Sequence, residues 1–419
     1  MISIIEQYYT YETLIWHILG ILLWLEVKKM AQNEQNYDLN EVLETRSQID
    51  KDLRDQVAMC SSFLKSYSSP LVITSKMRLK NNARRFIKAM PSVTPHYAVK
   101  ANPDKEILKI LMQEGVNFEI ASVAELDLLM DLKVDPKSIL FSNPIKSPKA
   151  LKESLSYGVQ WFAADTPEEV IKIAEIDGSA RIFLRIAVSN EGSMWPLCEK
   201  FGSEMNAVQT LISAAKDNNV SIEGVSFHVG SQCSNINNWL DGIKRAVDIF
   251  SLLETAGMRP TLLNIGGGFP IQMSEKDPSI EEIGSNINEA LKSLPSSIKV
   301  VAEPGRYLIG SAGCLVTQII GLATRKDSRW IYLDSGLYGG LMEMAESFPT
   351  KIISERTDEL SDWTLAGPTC DSIDVLGKHK LPKSSQIDDL VFIPNLGAYC
   401  TTCGTDFNGF PPPKLVLVK

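Results

Sequence analysis

From Pro70 to about Gly305, apolar and polar positions switch between two periods along the chain. Short runs rich in β-branched and aromatic residues read as strands: PLVIT (70–74), HYAVK (96–100), FEIAS (118–122), ILFSN (139–143), WFAAD (161–165), RIFLRI (181–186), GVSFHVG (224–230), LLNIGGG (262–268) and KVVAEPG (299–305). The stretches between them carry the helical repeat. In NNWLDGIKRAVDIFSLLETAG (237–257), Trp239, Ile243, Val247 and Phe250 recur at three- and four-residue steps and line one face of a helix. Such alternation predicts a parallel sheet with helices outside it, and eight or so units of this length close into a (β/α)8 barrel.

After about Gly313 the pattern changes. CLVTQIIGLAT, RWIYLDSG, DWTLAGPTC, DLVFIPNLG and PKLVLVK follow one another with few helical stretches between them. They predict a second, mainly antiparallel β domain. The expected division is an N-terminal extension over 1–45, a segment over 46–74 that contributes to the β domain, the barrel over 75–313 and the β domain over 314–419. No internal repeat or low-complexity tract interrupts this plan.

The extension carries LIWHILGILLWL (14–25), whose apolar run falls short of the ~20 residues needed to cross a bilayer. Glu6 and Glu12 precede it, where a secretory signal would carry positive charge. The residues leave three readings open: a helix that packs on a partner, an interfacial anchor, or an over-extended start with Met30 as the initiator. The last is preferred.

Composition narrows the function classes. Of 419 residues, 44% are hydrophobic and 22% charged, which is ordinary for a globular protein. A net charge of −9 and a pI near 5.2 argue against nucleic acid or an anionic membrane as partner. Seven cysteines, odd in number and irregular in spacing, do not form a disulfide framework in a chain this long, so a reducing, cytoplasmic setting is expected. Cys400 and Cys403 make a single CxxC with no second pair, and a zinc site needs about four ligands, so no metal is expected.

The chemistry sits at the strand ends. HYAVK closes on Lys100 just before the turn residues Ala101, Asn102 and Pro103. A lysine at a strand end is usually a side chain snorkelling to water. Here, however, His228 with Gly230–Gln232, the triple glycine 266–268 and Glu303–Arg306 end neighbouring strands of the same barrel. Active sites of such barrels lie at that rim. Glycine backbones, Ser231 and Arg306 suit a phosphate, His228 offers a flat ring, and Glu303 can pair with a protonated ring nitrogen. With Lys100 they make up the set that pyridoxal 5'-phosphate requires.

The motifs YAVKAN, FHVGSQ, NIGGGFP, EPGR, GPTCDSID (367–374) and GAY (397–399) together resemble the ornithine/lysine/diaminopimelate decarboxylases, in family order, over about residues 50–419. The resemblance implies an alanine-racemase-like barrel plus a β domain. It makes Lys100 the residue that carries the cofactor and lays His228 on its ring. It gives the phosphate to Ser231, Gly268, Arg306 and Tyr399 and the ring nitrogen to Glu303, and it counts Gly267 and Gly305 among the cofactor-binding residues. Arg185 matches a family arginine near the cofactor. It further implies a homodimer with shared active sites, in which Cys370 and Asp371 reach the partner's cofactor. There Cys370 would protonate the carbanion carbon and Asp371 would bind the distal amine of the substrate.

The expected substrate is an amino acid with a second amine. Diaminopimelate-specific relatives carry Cys-Glu-Ser where this chain has Cys370-Asp371-Ser372, and a bare acid there suits a distal ammonium. Animal-type relatives place a second aspartate after the GxYG turn. In GLYGGLMEMAESF (336–348), Ser347 stands at that offset with Glu346 just before it, so Glu346 is the candidate second acid and the bacterial ornithine/lysine branch is the nearer match. The expected products are putrescine or cadaverine, and the role is polyamine biosynthesis. A modified diamino acid of a siderophore or antibiotic pathway, or diaminopimelate, is the alternative substrate. An inactive partner-binding homologue is the non-enzyme alternative, disfavoured because Lys100 and Cys370 are both present.

Overall fold

The computed structural model describes Cys60 and residues 68–419, except 198, 275, 347, 350, 355 and 357. The readings at 1–45 and at Ser347 lie outside the described residues. The described residues lie in one compact unit.

The first strand, β1 (Leu71–Ser75), leads into α1 (Lys76–Ala89), and the barrel follows. Its strands are β2 (Val93–Ala98), β3 (Asn117–Ile120), β4 (Leu140–Phe141), β5 (Trp161–Ala164) and β6 (Arg181–Ile186). A rim strand, β7 (Ser193–Trp195), intervenes before β8 (Ser221–Phe227), and a second, β9 (Ser231–Cys233), pairs back on it. The barrel is completed by β10 (Leu262–Asn264) and β11 (Lys299–Ala302), and it closes where β11 pairs in parallel with β2.

The period-two pattern decides what faces where. Leu140, Ala163, Phe183, Leu262 and Val301, one from each of five strands, pack as a small cluster of their own inside the barrel. Their chain neighbours Phe141, Phe162, Leu184 and Leu263 point the other way, into the core shared with the helices. The helices begin at side-chain caps immediately after the rim. Asp104 accepts from the N–H groups of Glu106 and Ile107, Ser122 from Glu125, and Thr166 from Glu169 with Pro167 at the first helical position.

Several strands stop earlier than the apolar runs suggest. β2 ends at Ala98, and Lys100 lies in the one-turn 3-10 helix Val99–Ala101, closed by a bond from Asn102 N–H to the Val99 carbonyl. β10 ends at Asn264 because Gly266, at φ +66, turns the chain out of the sheet.

Beyond the barrel, β12 (Gly313–Arg325) is the spine of an eight-stranded sheet with β13 (Ser328–Leu333), β14 (Ile353–Ser354), β15 (Leu360–Ala366), β16 (Val375–Pro382), β17 (Leu390–Pro394) and β18 (Lys414–Val418). β1 is the eighth strand, antiparallel to β12 and parallel to β18. Most pairings are antiparallel, with β13–β15 the other parallel pair. This sheet has its own core, including Leu315, Ile331, Trp363, Leu365 and Ile393.

Candidate active site

A cavity of about 570 Å³ opens at the rim, and Lys100, Glu119, Arg185, His228 and Glu303 are among its lining residues. Lys100 Nζ lies 2.7 Å from Oε2 of Glu119. Glu119 is buried, while the lysine side chain keeps 46% of its surface open. Loss of water is the largest single influence and works against the ammonium, but Glu119, Tyr399 and Glu303 together outweigh it, and the Lys100 pKa is raised. With so much of the side chain open, the pair contributes to orientation more than to stability. Sequence reasoning passed over Glu119, although its signal was present. Phe118 and Ile120 pack on the helices, so period two turns the residue between them into the barrel.

Glu303 follows β11, and its Oε1 accepts from Ser142 Oγ and Asn264 Nδ2. Burial raises its pKa and nearby Glu119 adds to the rise, against the pull of Lys100. No ion pair to Glu303 forms among the described residues, so this half-buried acid is suited to a cationic ring N–H. His228, just past β8, accepts a bond from the Gly230 N–H at Nδ1, 3.1 Å away, which leaves the ring proton on Nε2. Burial, then Arg185 and Lys100, push its pKa down to about 3, so the ring is neutral. Arg185, one residue before the end of β6, has its guanidinium 5.2 Å from the Phe201 ring centroid.

The glycine turns are a cradle that larger residues would fill. A Cβ on Gly267 would lie 2.7 Å from the Glu303 carbonyl and 2.9 Å from His228 Nε2. On Gly268, at φ +90, it would lie 2.4 Å from the Gly230 carbonyl. Opposite stands Arg306, buried, whose NH2 lies 3.4 Å from Ser231 Oγ and whose Nε finds no partner among the described residues. A Cβ on Gly305 would come within 3.3 Å of the Tyr399 hydroxyl, and the Tyr399 ring stacks 4.9 Å from the Arg306 guanidinium. An orphaned buried donor beside a glycine cradle, with a neutral ring and a half-buried acid nearby, fits a flat cationic ring with an anionic tail. The residues present therefore fit pyridoxal phosphate.

Cys370 and Asp371 do not line this cavity. Cys370 is exposed, with Sγ 3.2 Å from Asn408 Oδ1. Asp371 accepts from the Tyr338 hydroxyl at 2.6 Å, which lowers its pKa, and Tyr338 stacks on Phe407 at 4.3 Å. Asp374, four residues after Cys370, is not at the surface. It is buried and caps the loop, accepting from Leu337 N–H and from Thr369. Glu346 is exposed and takes a hydrogen bond from the Trp195 indole.

Comparison with known proteins points to the same cofactor. Residues 76–310 match the pyridoxal-binding domain of the pyridoxal-dependent decarboxylases. A lysine/ornithine decarboxylase of Selenomonas ruminantium is 34% identical over 350 residues, covering 83% of this chain and 88% of that protein. Among solved structures, the arginine decarboxylase of Paramecium bursaria Chlorella virus bound to agmatine superimposes with a TM-score of 0.81 at 29% identity, covering 86% of this chain and 100% of that one. Lysine/ornithine decarboxylase from Vibrio vulnificus, complexed with cadaverine, superimposes with a TM-score of 0.80 at 30% identity, covering 87% and 99%.

Proposed function

The chain belongs to the pyridoxal-dependent decarboxylases of basic amino acids, and from that membership we propose that it removes the α-carboxylate of L-ornithine or L-lysine, yielding putrescine or cadaverine for polyamine biosynthesis. The observation that carries the reading is Lys100 held by Glu119 in a cavity that also contains His228 and Glu303.

The cofactor is pyridoxal 5'-phosphate. When bound, it links through its aldehyde carbon to an amine and takes up the electron pair that departing CO2 leaves behind. Lys100 Nζ is the amine that anchors it. Glu303 would pair with the ring nitrogen and hold a proton there, a cation being the partner that this carboxylate lacks among the described residues. The neutral His228 ring would cover one face of the cofactor. Gly267, Gly268, Ser231, Gly305, Arg306 and Tyr399 would hold the phosphate, with Arg185 as a further residue for the cofactor. Cys370 Sγ delivers the proton to the substrate α-carbon, and Asp371 binds the distal ammonium, with Glu346 as a further acid for longer substrates.

Because Cys370 and Asp371 stand away from the Lys100 cavity of their own chain, we assign them to the site of a second copy, in a homodimer with shared active sites. The domain division at 46–74, 75–313 and 314–419 is retained with this reading. The acidic charge and irregular cysteines support a cytoplasmic enzyme.

CO2 release measured across ornithine, lysine, arginine and diaminopimelate tests the function. The highest kcat/KM is expected for ornithine or lysine. Preference for arginine, the reading that the viral neighbour favours, or for diaminopimelate would overturn the substrate, and release from none of them would overturn the activity.

A further inference from the structure

Arg306 is held from the side that faces away from Ser231. Its NH1 lies 2.8 Å from Oε2 of Glu343, and its NH2 donates to Oε1, so one carboxylate grips the end of the guanidinium with both oxygens. Glu343 belongs to α10 (Met342–Ala345), the short helix after the GLYGGL turn, α2 to α9 being the earlier helices from Lys105–Gln113 to Arg306–Ile309. A guanidinium has two edges able to form paired bonds. With the NH1/NH2 edge taken, the edge left is that of Nε, which is buried and without a partner among the described residues, and NH2, whose other reach is to Ser231 Oγ. The rings of Trp195, Phe348 and Tyr399 stand 4.8, 5.2 and 4.9 Å from the guanidinium carbon.

We propose that Glu343 is a positioning residue for cofactor capture: it locks Arg306 so that the Nε/NH2 edge, together with Ser231, is presented to the phosphate of pyridoxal phosphate. Both edges are used at once, so Glu343 stays in place when the phosphate binds. This rests on the cofactor reading above.

The test compares dissociation constants of pyridoxal phosphate and of pyridoxal, which lacks the phosphate, by absorbance titration of the apoprotein. The wild-type preference for the phosphorylated form should fall about tenfold in Glu343→Gln, the worth of one oriented charge-assisted bond, with pyridoxal binding unchanged. In an Arg306→Lys background, where no fork remains to orient, Glu343→Gln should change the preference less than about twofold. If Glu343→Gln fails to fold, Glu343→Asp keeps the charge with a shorter reach, and a loss of about threefold is expected. An unchanged preference overturns the proposal, as does an increased one, which would mean that Glu343 competes with the phosphate. An equal loss in the lysine background also overturns it. A wild-type protein that binds pyridoxal phosphate no better than pyridoxal would instead overturn the cofactor site itself.

Discussion

At the scale of single residues, the site depends on charges whose values the surroundings set. Asp371 is held ionised by the Tyr338 hydroxyl, and under the proposed function that carboxylate pairs with the distal ammonium of the substrate. Asp371→Asn keeps the shape and removes the charge, so kcat/KM for ornithine or lysine should fall by roughly 10²-fold, about 2.7 kcal/mol. Cofactor affinity should be unchanged. Near wild-type efficiency with both substrates would return the substrate question to a modified amino acid. His228 behaves in the opposite sense to an ordinary histidine. Its folded pKa of about 3 lies below the unfolded value near 6.5, so the unfolded chain binds the extra proton between the two. Stability from the neutral ring is complete above about pH 6.5 and is lost as the pH falls toward 3. Thermal unfolding of the apoprotein between pH 7 and 4 should show a smaller drop in Tm for His228→Asn than for the wild type. An equal drop would place the acid sensitivity elsewhere, His96 being the other histidine with a pKa of about 3.

At the scale of elements, the rim works because strands end in turns that only small residues allow. Gly268 and Gly257 both have positive φ, +90 and +82, but a Cβ on Gly268 meets the Gly230 carbonyl at 2.4 Å whereas one on Gly257 meets nothing within 4 Å. Gly257→Ala should therefore cost only the left-handed strain, about 1 kcal/mol, and leave cofactor binding alone. Gly268→Ala should lose stability and weaken pyridoxal phosphate binding by more than about tenfold, since two backbones must separate to admit the methyl group. Equal effects of the two substitutions on cofactor affinity would show that φ, and not the close approach, is what the turn requires.

At the scale of the whole molecule, the proposed site needs two chains. Lys100→Ala and Cys370→Ala homodimers should each be inactive. Mixed in equal amounts under conditions of proven subunit exchange, they should form about half heterodimers, each with one intact site, or about a quarter of wild-type sites. No recovery of CO2 release would mean that Cys370 serves its own chain or none.

The sequence by itself determined which residues stand at the strand ends and the order in which the barrel presents them. Lys100, His228, the glycines 266–268 and Glu303–Arg306 are legible because strand ends carry local signals: a β-rich run, then turn residues, then a helix cap. What it left open depends on contacts between segments distant along the chain. Glu119 faces Lys100, Ser142 and Asn264 reach Glu303, and Glu343 grips Arg306, across separations of 19, 161, 39 and 37 residues. No local period encodes such pairings. The tertiary structure also decided that Asp374 is a buried cap while Asp371, three residues earlier, offers its carboxylate at a surface loop. Two acids in one motif look alike in sequence, and only the fold decides which of them is desolvated against backbone N–H groups.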